Sequence, residues 1–158
     1  MSFRIGHGYD IHRLQNGGKL ILGGVIVSTD ISPIAHSDGD VVIHAIVDAL
    51  LGAMGWGDIG VYFPVAQVPK NADSRYFLET VYKRVRESGY SLGNVDVAII
   101  AERPRLAPFR AEIVKTLAQM FAGDGLVNIK AGTNEETDAV GRGEAIVAHA
   151  VVLLLTSP

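Results

Sequence analysis

Two polar stretches of this chain have the residue types and spacing for metal and phosphate chemistry. Asp10 and His12 stand two apart. On an extended segment alternate side chains point the same way, so both can face one point. Carboxylate plus imidazole suits zinc or a similar divalent ion. The second stretch is His36-Ser37-Asp38-Gly39-Asp40, followed by His44. It opens a segment with helical spacing, and a helix N-terminus offers unpaired N–H groups and positive dipole to an anion. His36 and Ser37 are therefore placed to touch a phosphate. His44 can complete a three-ligand site with Asp10 and His12, which leaves the open position of a catalytic metal. Spacing alone favours plainer readings: a solvated turn with a hydrogen-bonded His12, a capping Ser37/Asp38 pair, and a His44 satisfied in the core.

Four loops add candidates. Asp58, in Gly57-Asp58-Ile59-Gly60, can bind a hydroxyl or simply shape a turn. Ala101-Glu102-Arg103-Pro104-Arg105-Leu106-Ala107 leaves a strand and can grip a base or phosphate, or be a strand exit with solvated arginines. In Gly132-Thr133-Asn134-Glu135-Glu136, Thr133 offers a hydroxyl and Glu135 a ligand for Mg²⁺ on a diphosphate. Arg142, between Gly141 and Gly143, fits phosphate capture or a structural ion pair. Asp48, Arg84 and Arg86 read as a solvated helix face.

The elements that must position these residues follow from periodicity and punctuation. Residues 3–9 and 19–27 read as strands, the second broken at Gly23-Gly24. Ser37 or Asp38 caps a helix running to about Met54, with Val41, Ala45, Ala49 and Leu50 at helical spacing. Residues 55–71 read as a loop. Asp73 or Ser74 caps a second helix with Phe77, Val81 and Val85 on one face and Gly89 at its C′ position. A strand over 92–101 precedes a loop bracketed by Pro104 and Pro108, and Pro108 starts a third helix ending at Gly123. Val127–Lys130 is a short strand and Thr133–Gly143 a polar loop. Ala145–Leu155 is short for a helix and rich in β-branched residues, which favours strand. The order predicts an α+β fold, a single mixed β-sheet covered by helices on one face, in one domain over 1–158.

Composition narrows the class. The 158 residues are 48% hydrophobic and 20% charged, so the chain is globular rather than disordered. The net charge is −3 with no basic block, which argues against a nucleic-acid groove. There is no Cys, so disulfides, thiolate nucleophiles and Cys-type zinc fingers are excluded. The longest apolar run, Ala145–Leu155, is well short of the about 20 residues a membrane helix needs. The N-terminus lacks a signal-peptide apolar region. The expected setting is cytoplasmic, or a plastid after removal of a targeting segment, with no membrane partner.

Taken together the motifs resemble one family. Ile5-Gly6-His7-Gly8-Tyr9-Asp10-Ile11-His12, Ala35-His36-Ser37-Asp38-Gly39-Asp40 with His44, Gly57-Asp58-Ile59-Gly60, Leu92-Gly93-Asn94-Val95-Asp96 and Gly141-Arg142-Gly143-Glu144-Ala145 look like the signatures of the 2-C-methyl-D-erythritol 2,4-cyclodiphosphate synthases, in order and nearly end to end. Five motifs in register are specific where one is weak. The resemblance implies a lyase of the non-mevalonate route to isoprenoid precursors. Its substrate would be 4-diphosphocytidyl-2-C-methyl-D-erythritol 2-phosphate, cyclised with loss of CMP. It also implies a homotrimer with active sites at subunit interfaces.

Carried over by motif, Asp10, His12 and His44 would bind Zn²⁺, and Glu135 would ligate Mg²⁺ or Mn²⁺ on the diphosphate. His36 and Thr133 would stabilise the transition state. Ser37 would assist at phosphate, Asp58 would hold the erythritol hydroxyls, and Ile59, Gly60 and Phe63 would bind substrate. Ala101, Arg105, Leu106 and Ala107 would line a cytidine pocket, Gly132 and Asn134 would approach the nucleotide phosphates, and Arg142 would lie near the phosphates or a central cavity.

The chain departs from the family pattern at three places. Val65-Ala66-Gln67 stands where an Asp-x-Asp pair is usual, Ala139 where an aromatic is usual, and Gly132 where Thr is common. Val65, Gln67 and Ala139 motivate an alternative, a catalytically impaired trimeric isoprenoid-phosphate-binding protein of the same fold. A third reading, a zinc phosphodiesterase, would need a water at the open zinc position and a general base, for which Asp40 is the carboxylate nominated.

Overall fold

The computed structural model describes residues 2–156, so Met1, Ser157 and Pro158 of the expected 1–158 span lie outside the described residues. Seven strands and four helices follow in the order β1 (Phe3–Asn16), β2 (Leu20–Leu22), β3 (Val25–Ser28), β4 (Ile31–Pro33), α1 (Val41–Met54), α2 (Ile59–Tyr62), α3 (Ser74–Glu87), β5 (Tyr90–Ile100), α4 (Arg110–Met120), β6 (Leu126–Gly132) and β7 (Ala145–Thr156). The fold is mixed α+β. Its main sheet is ordered β4-β1-β7-β5-β6, and β2 and β3 form a separate pair. Only β5 and β6 run parallel; the other neighbours are antiparallel.

The first strand is longer than its apolar pattern suggests. Residues 3–13 pair with β7 and residues 14–16 with β4, so partners on both sides extend it past the expected end at Tyr9. Asp10 and His12 thus sit in the middle of a paired strand, on the same face as Gly6 and Gly8. β4 escapes a periodicity reading because it is three residues long and ends in Pro33 at the sheet edge. The break at Gly23-Gly24 is real, and those two residues turn β2 into β3.

Helix α1 lies against β1 with almost no side chain between them. A Cβ built on Gly6 would fall 1.8 Å from the Ala49 carbonyl oxygen, and one on Gly8 1.9 Å from that of Ala45. Ala45, Ala49 and Ala53 complete the close contact, and α1 is buried nearly all round because α3 covers its other side. The helix starts later than expected. Its cap is Asp40, not Ser37 or Asp38, because the Asp40 carboxylate accepts the N–H groups of Val42 and Ile43.

The segment read as a loop over 55–71 contains α2 and a 3₁₀ turn over Val65–Gln67. Both are too short to show a period. Pro108 lies in a 3₁₀ turn just before α4 rather than within it, and α4 ends at Met120. Ala145–Leu155 is strand, as its composition favours. Among the described residues no single helix is long and apolar enough to cross a membrane.

Candidate functional site

The site begins where α1 meets β1. His44 leaves the first turn of α1 toward Asp10 and His12. His44 Nδ1 lies 3.0 Å from Asp10 Oδ2 and 3.3 Å from His12 Nε2, and His12 Nε2 lies 3.2 Å from the same carboxylate oxygen. Three donors at such mutual distances form one triangular face of a tetrahedron built with the ~2.0–2.2 Å bonds of a zinc ion to nitrogen and oxygen. The donor set therefore fits a divalent ion with one position left open.

The other ring nitrogen of His44 is tied down. Ser74 Oγ donates to the Asp38 carboxylate, so Ser74 accepts from His44 Nε2–H at 2.9 Å. That chain leaves the Nδ1 lone pair facing the donor cluster. Asp38 is held in turn by the backbone N–H groups of Ser74 and Asp40. Ser74 and Asp38 were legible only as helix-cap candidates, because their joint role depends on α3 arriving beside α1. Ser74→Ala is expected to weaken Zn²⁺ binding about 10- to 100-fold. Chelator competition on the purified variant measures this, and unchanged affinity would remove Ser74 from the site.

Burial and charge act differently on the two imidazoles. Burial lowers the His12 pKa, and the nearby Asp10 charge only partly opposes it. Burial also pulls His44 down, but the hydrogen bond and charge of Asp10, with the charges of Asp40 and Asp38, outweigh it and raise the net value. Asp40 does not meet the needs of a general base. It is fully buried, and its carboxylate accepts four backbone N–H groups, from Gly23, Gly24, Val42 and Ile43. Burial pushes its pKa up to about 6 against those hydrogen bonds. Its work is to fix the β2–β3 turn to the start of α1, and the phosphodiesterase reading loses its base.

Two cavities gather most of the expected residues. The first, about 260 Å³, is lined by Asp10, His12, His36, Ser37, His44, Ile59, Gly60 and Phe63, with Val65, Val68 and Phe77. His36 Nε2–H donates to the Val68 carbonyl at 2.7 Å, and Ser37 Oγ lies 3.3 Å from His44 Nε2. The second, about 550 Å³, is lined by Ala101, Arg105, Leu106, Ala107, Gly132 and Thr133, among others. Glu102 lines it too, and its buried Oε2 has no hydrogen-bond partner. The two cavities share no lining residue, so within one chain His36 and Thr133 are not brought together.

Other candidates lie outside both. Asp58 caps α2, its Oδ1 accepting Val61 N–H at 2.9 Å. Asn134 donates to Asp138 at 2.8 Å, and Thr133 Oγ1 lies 3.4 Å from Glu135 Oε1. Glu135 holds a left-handed backbone, φ 51°, a conformation uncommon for a side-chain-bearing residue. Arg142 is paired with Glu144 at 2.9 Å.

All three residues read as solvated helix surface are engaged instead, Arg86 through an ion pair with Asp124. Asp48 accepts the Ile59 N–H at 2.7 Å and so anchors the Asp58–Gly60 segment to α1; burial raises its pKa. Arg84 stacks over Trp56, 4.4 Å from the ring centroid. None of these contacts follows from spacing, because each spans two elements.

Comparison with known proteins agrees with the geometry. The YgbB family model matches residues 3–155. A protein of Photobacterium profundum named 2-C-methyl-D-erythritol 2,4-cyclodiphosphate synthase is 48% identical over 96% of this chain and 98% of its own length. One of Geobacter metallireducens with the same name is 51% identical over the same shares. A solved structure described as IspF of Plasmodium falciparum in complex with CDP superposes with a TM-score of 0.88 at 34% identity, over 99% of this chain and 98% of that one.

Proposed function

The chain belongs to the YgbB family, and from that membership we propose its reaction and the division of labour among its residues. It is a metal-dependent phosphorus–oxygen lyase, a 2-C-methyl-D-erythritol 2,4-cyclodiphosphate synthase of isoprenoid biosynthesis. The substrate is 4-diphosphocytidyl-2-C-methyl-D-erythritol 2-phosphate. A 2-phosphate oxygen forms a bond to the β-phosphorus, the bond from that phosphorus to the bridging oxygen breaks, and CMP departs with the oxygen. The observation that carries this reading is the Asp10/His12/His44 cluster at the wall of a cavity that also holds His36, Ser37 and the Ile59–Phe63 segment.

Intramolecular transfer between two phosphates needs alignment and charge neutralisation more than a nucleophile from the protein. Zn²⁺ held by Asp10, His12 and His44, and Mg²⁺ or Mn²⁺ held by Glu135, would supply Lewis-acid charge neutralisation. His36, positioned by its bond to Val68, and Thr133 steady the charge that builds in transfer. Ser37 binds phosphate, while Asp58, Ile59, Gly60 and Phe63 hold the erythritol part. Ala101, Arg105, Leu106 and Ala107 receive cytidine, and the CDP named for the Plasmodium falciparum structure supports a cytidine nucleotide as ligand. Gly132 and Asn134 approach its phosphates, and Arg142 adds positive charge nearby.

The whole chain acts as one domain, which its single main core supports. A homotrimer is the proposed assembly. Two observations support it. His36 and Thr133 line separate cavities, so one substrate can meet both only across a contact between copies. The sheet face turned away from α1 also exposes Phe3 and Ile5 at 63% each, with Tyr9, Ile11 and Val151 beside them, an apolar patch of the kind that marks an interface.

The binder alternative has less support: the chain keeps the complete donor cluster, and its relatives over nearly full length are named as synthases. Phosphorus NMR of a turnover mixture with Zn²⁺ and Mg²⁺ tests the reading. Cyclic diphosphate plus CMP is expected; a linear product would make the protein a hydrolase, and no product at all would favour the binder.

A further inference from the structure

The sheet face opposite α1 carries a second pair of imidazoles, remote in purpose from the cluster just described. His7 on β1 and His149 on β7 are diagonal neighbours across two paired strands, since Tyr9 is the residue opposite His149 and Val151 the one opposite His7. Both are exposed. His7 Nε2 lies 3.4 Å from His149 Nδ1. That is long for a nitrogen–nitrogen hydrogen bond. It matches the separation of two nitrogens bound at ~2.0–2.1 Å to one tetrahedral ion, about 3.3–3.4 Å. It is also close to the 3.3 Å between His12 and His44 in the donor cluster. Among the described residues neither ring has a hydrogen bond to any other group. The Tyr9 ring stands edge-on to His149 with centroids 4.9 Å apart, which restrains that imidazole. Two donors carried on adjacent strands of a sheet are held more precisely than donors on a loop.

We propose that His7 and His149 form a second transition-metal site, one that takes Zn²⁺ through His7 Nε2 and His149 Nδ1. Imidazole donors without carboxylates suit zinc, copper or nickel rather than magnesium or calcium. With two protein ligands instead of three, the site is weaker and more readily exchanged than the Asp10 cluster. Its remaining coordination positions open away from the sheet, toward whatever faces that surface in the assembly. The site does not serve the cyclisation, so its loss leaves turnover unchanged.

Tag-free, metal-stripped protein titrated with Zn²⁺ in a calorimeter, with turnover measured in parallel, tests this. Wild type is expected to take up zinc beyond one ion per chain, in a tight and a weaker phase. His7→Gln and His149→Gln should each lose the weaker phase and keep the tight one and full activity. His44→Ala should do the reverse. His149→Cys, which replaces one zinc donor with another, should retain the weaker phase and so separates lost ligation from lost folding. Uptake that stops at one ion per chain in wild type, or a weaker phase that survives in both Gln variants, overturns the proposal. Inactive wild type with both phases intact would instead count against the reaction proposed above and leave this site standing.

Discussion

His44→Ala is expected to abolish the cyclisation at any practical enzyme concentration. His44 is the donor that α1 contributes to a cluster otherwise made by β1 alone, 3.0 Å from Asp10 and 3.3 Å from His12. Removing it leaves two ligands on β1 alone and an Asp38–Ser74 pair with nothing to orient. Lewis-acid stabilisation at such a site contributes several kcal/mol to a phosphoryl transition state, and each ~1.4 kcal/mol is tenfold in rate. The expected loss is therefore at least about 10³-fold in kcat/KM, with Zn²⁺ stoichiometry at the tight site falling in parallel. The fold should survive, because His44 makes no backbone-capping contact. Metal analysis, circular dichroism and a rate measurement on the same preparation check all three. A variant that keeps more than a tenth of the activity would mean that the cluster is structural.

The second large effect is on the fold. Gly8→Ala places a methyl group where the Ala45 carbonyl oxygen already sits, 1.9 Å away, against backbone that has no rotamer to retreat into. To restore van der Waals contact α1 must shift by more than an ångström from β1. Overpacking ordinarily costs about 1–3 kcal/mol; with a whole helix displaced, the expected cost is at or above the top of that range, out of a total of roughly 5–15 kcal/mol. The same shift separates His44 from Asp10 and His12, so zinc affinity falls along with stability. Gly132→Ala is the control. A Cβ there meets nothing within 4 Å, so its stability should stay within about 0.5 kcal/mol of wild type. Urea melts of the two variants decide it: equal midpoints would mean that the glycines of the first motif are not there to admit α1.

These two results would also divide what the chain shows in one dimension from what it shows in three. Residue chemistry and short-range spacing are local, and they are legible. Asp10 and His12 on alternate positions of a strand, the polar run before a helix, the Gly23-Gly24 break and the strand character of Ala145–Leu155 all follow from period and composition. The family resemblance added long-range roles that spacing alone does not justify. His44 is the clearest case, since by spacing alone it reads as a core histidine. Nothing within a few residues of it distinguishes a zinc ligand from a buried ring.

Tertiary structure decided the rest because the deciding contacts join residues far apart in the chain. Ser74 orients His44 from 30 positions away. Asp40, nominated from the sequence only as a general base, caps α1 and is taken up by Gly23 and Gly24. Asp48 turns from a surface charge into the anchor of Ile59, and His7 meets His149 across the length of the sequence. By itself the sequence determined which groups were available and which short segments would carry them. Packing decided which groups share a site; for His44, Asp10 and His12 the deciding contact is that of α1 on two side-chain-free positions of β1, because their convergence depends on backbone approach at Gly6 and Gly8 between segments far apart in the chain.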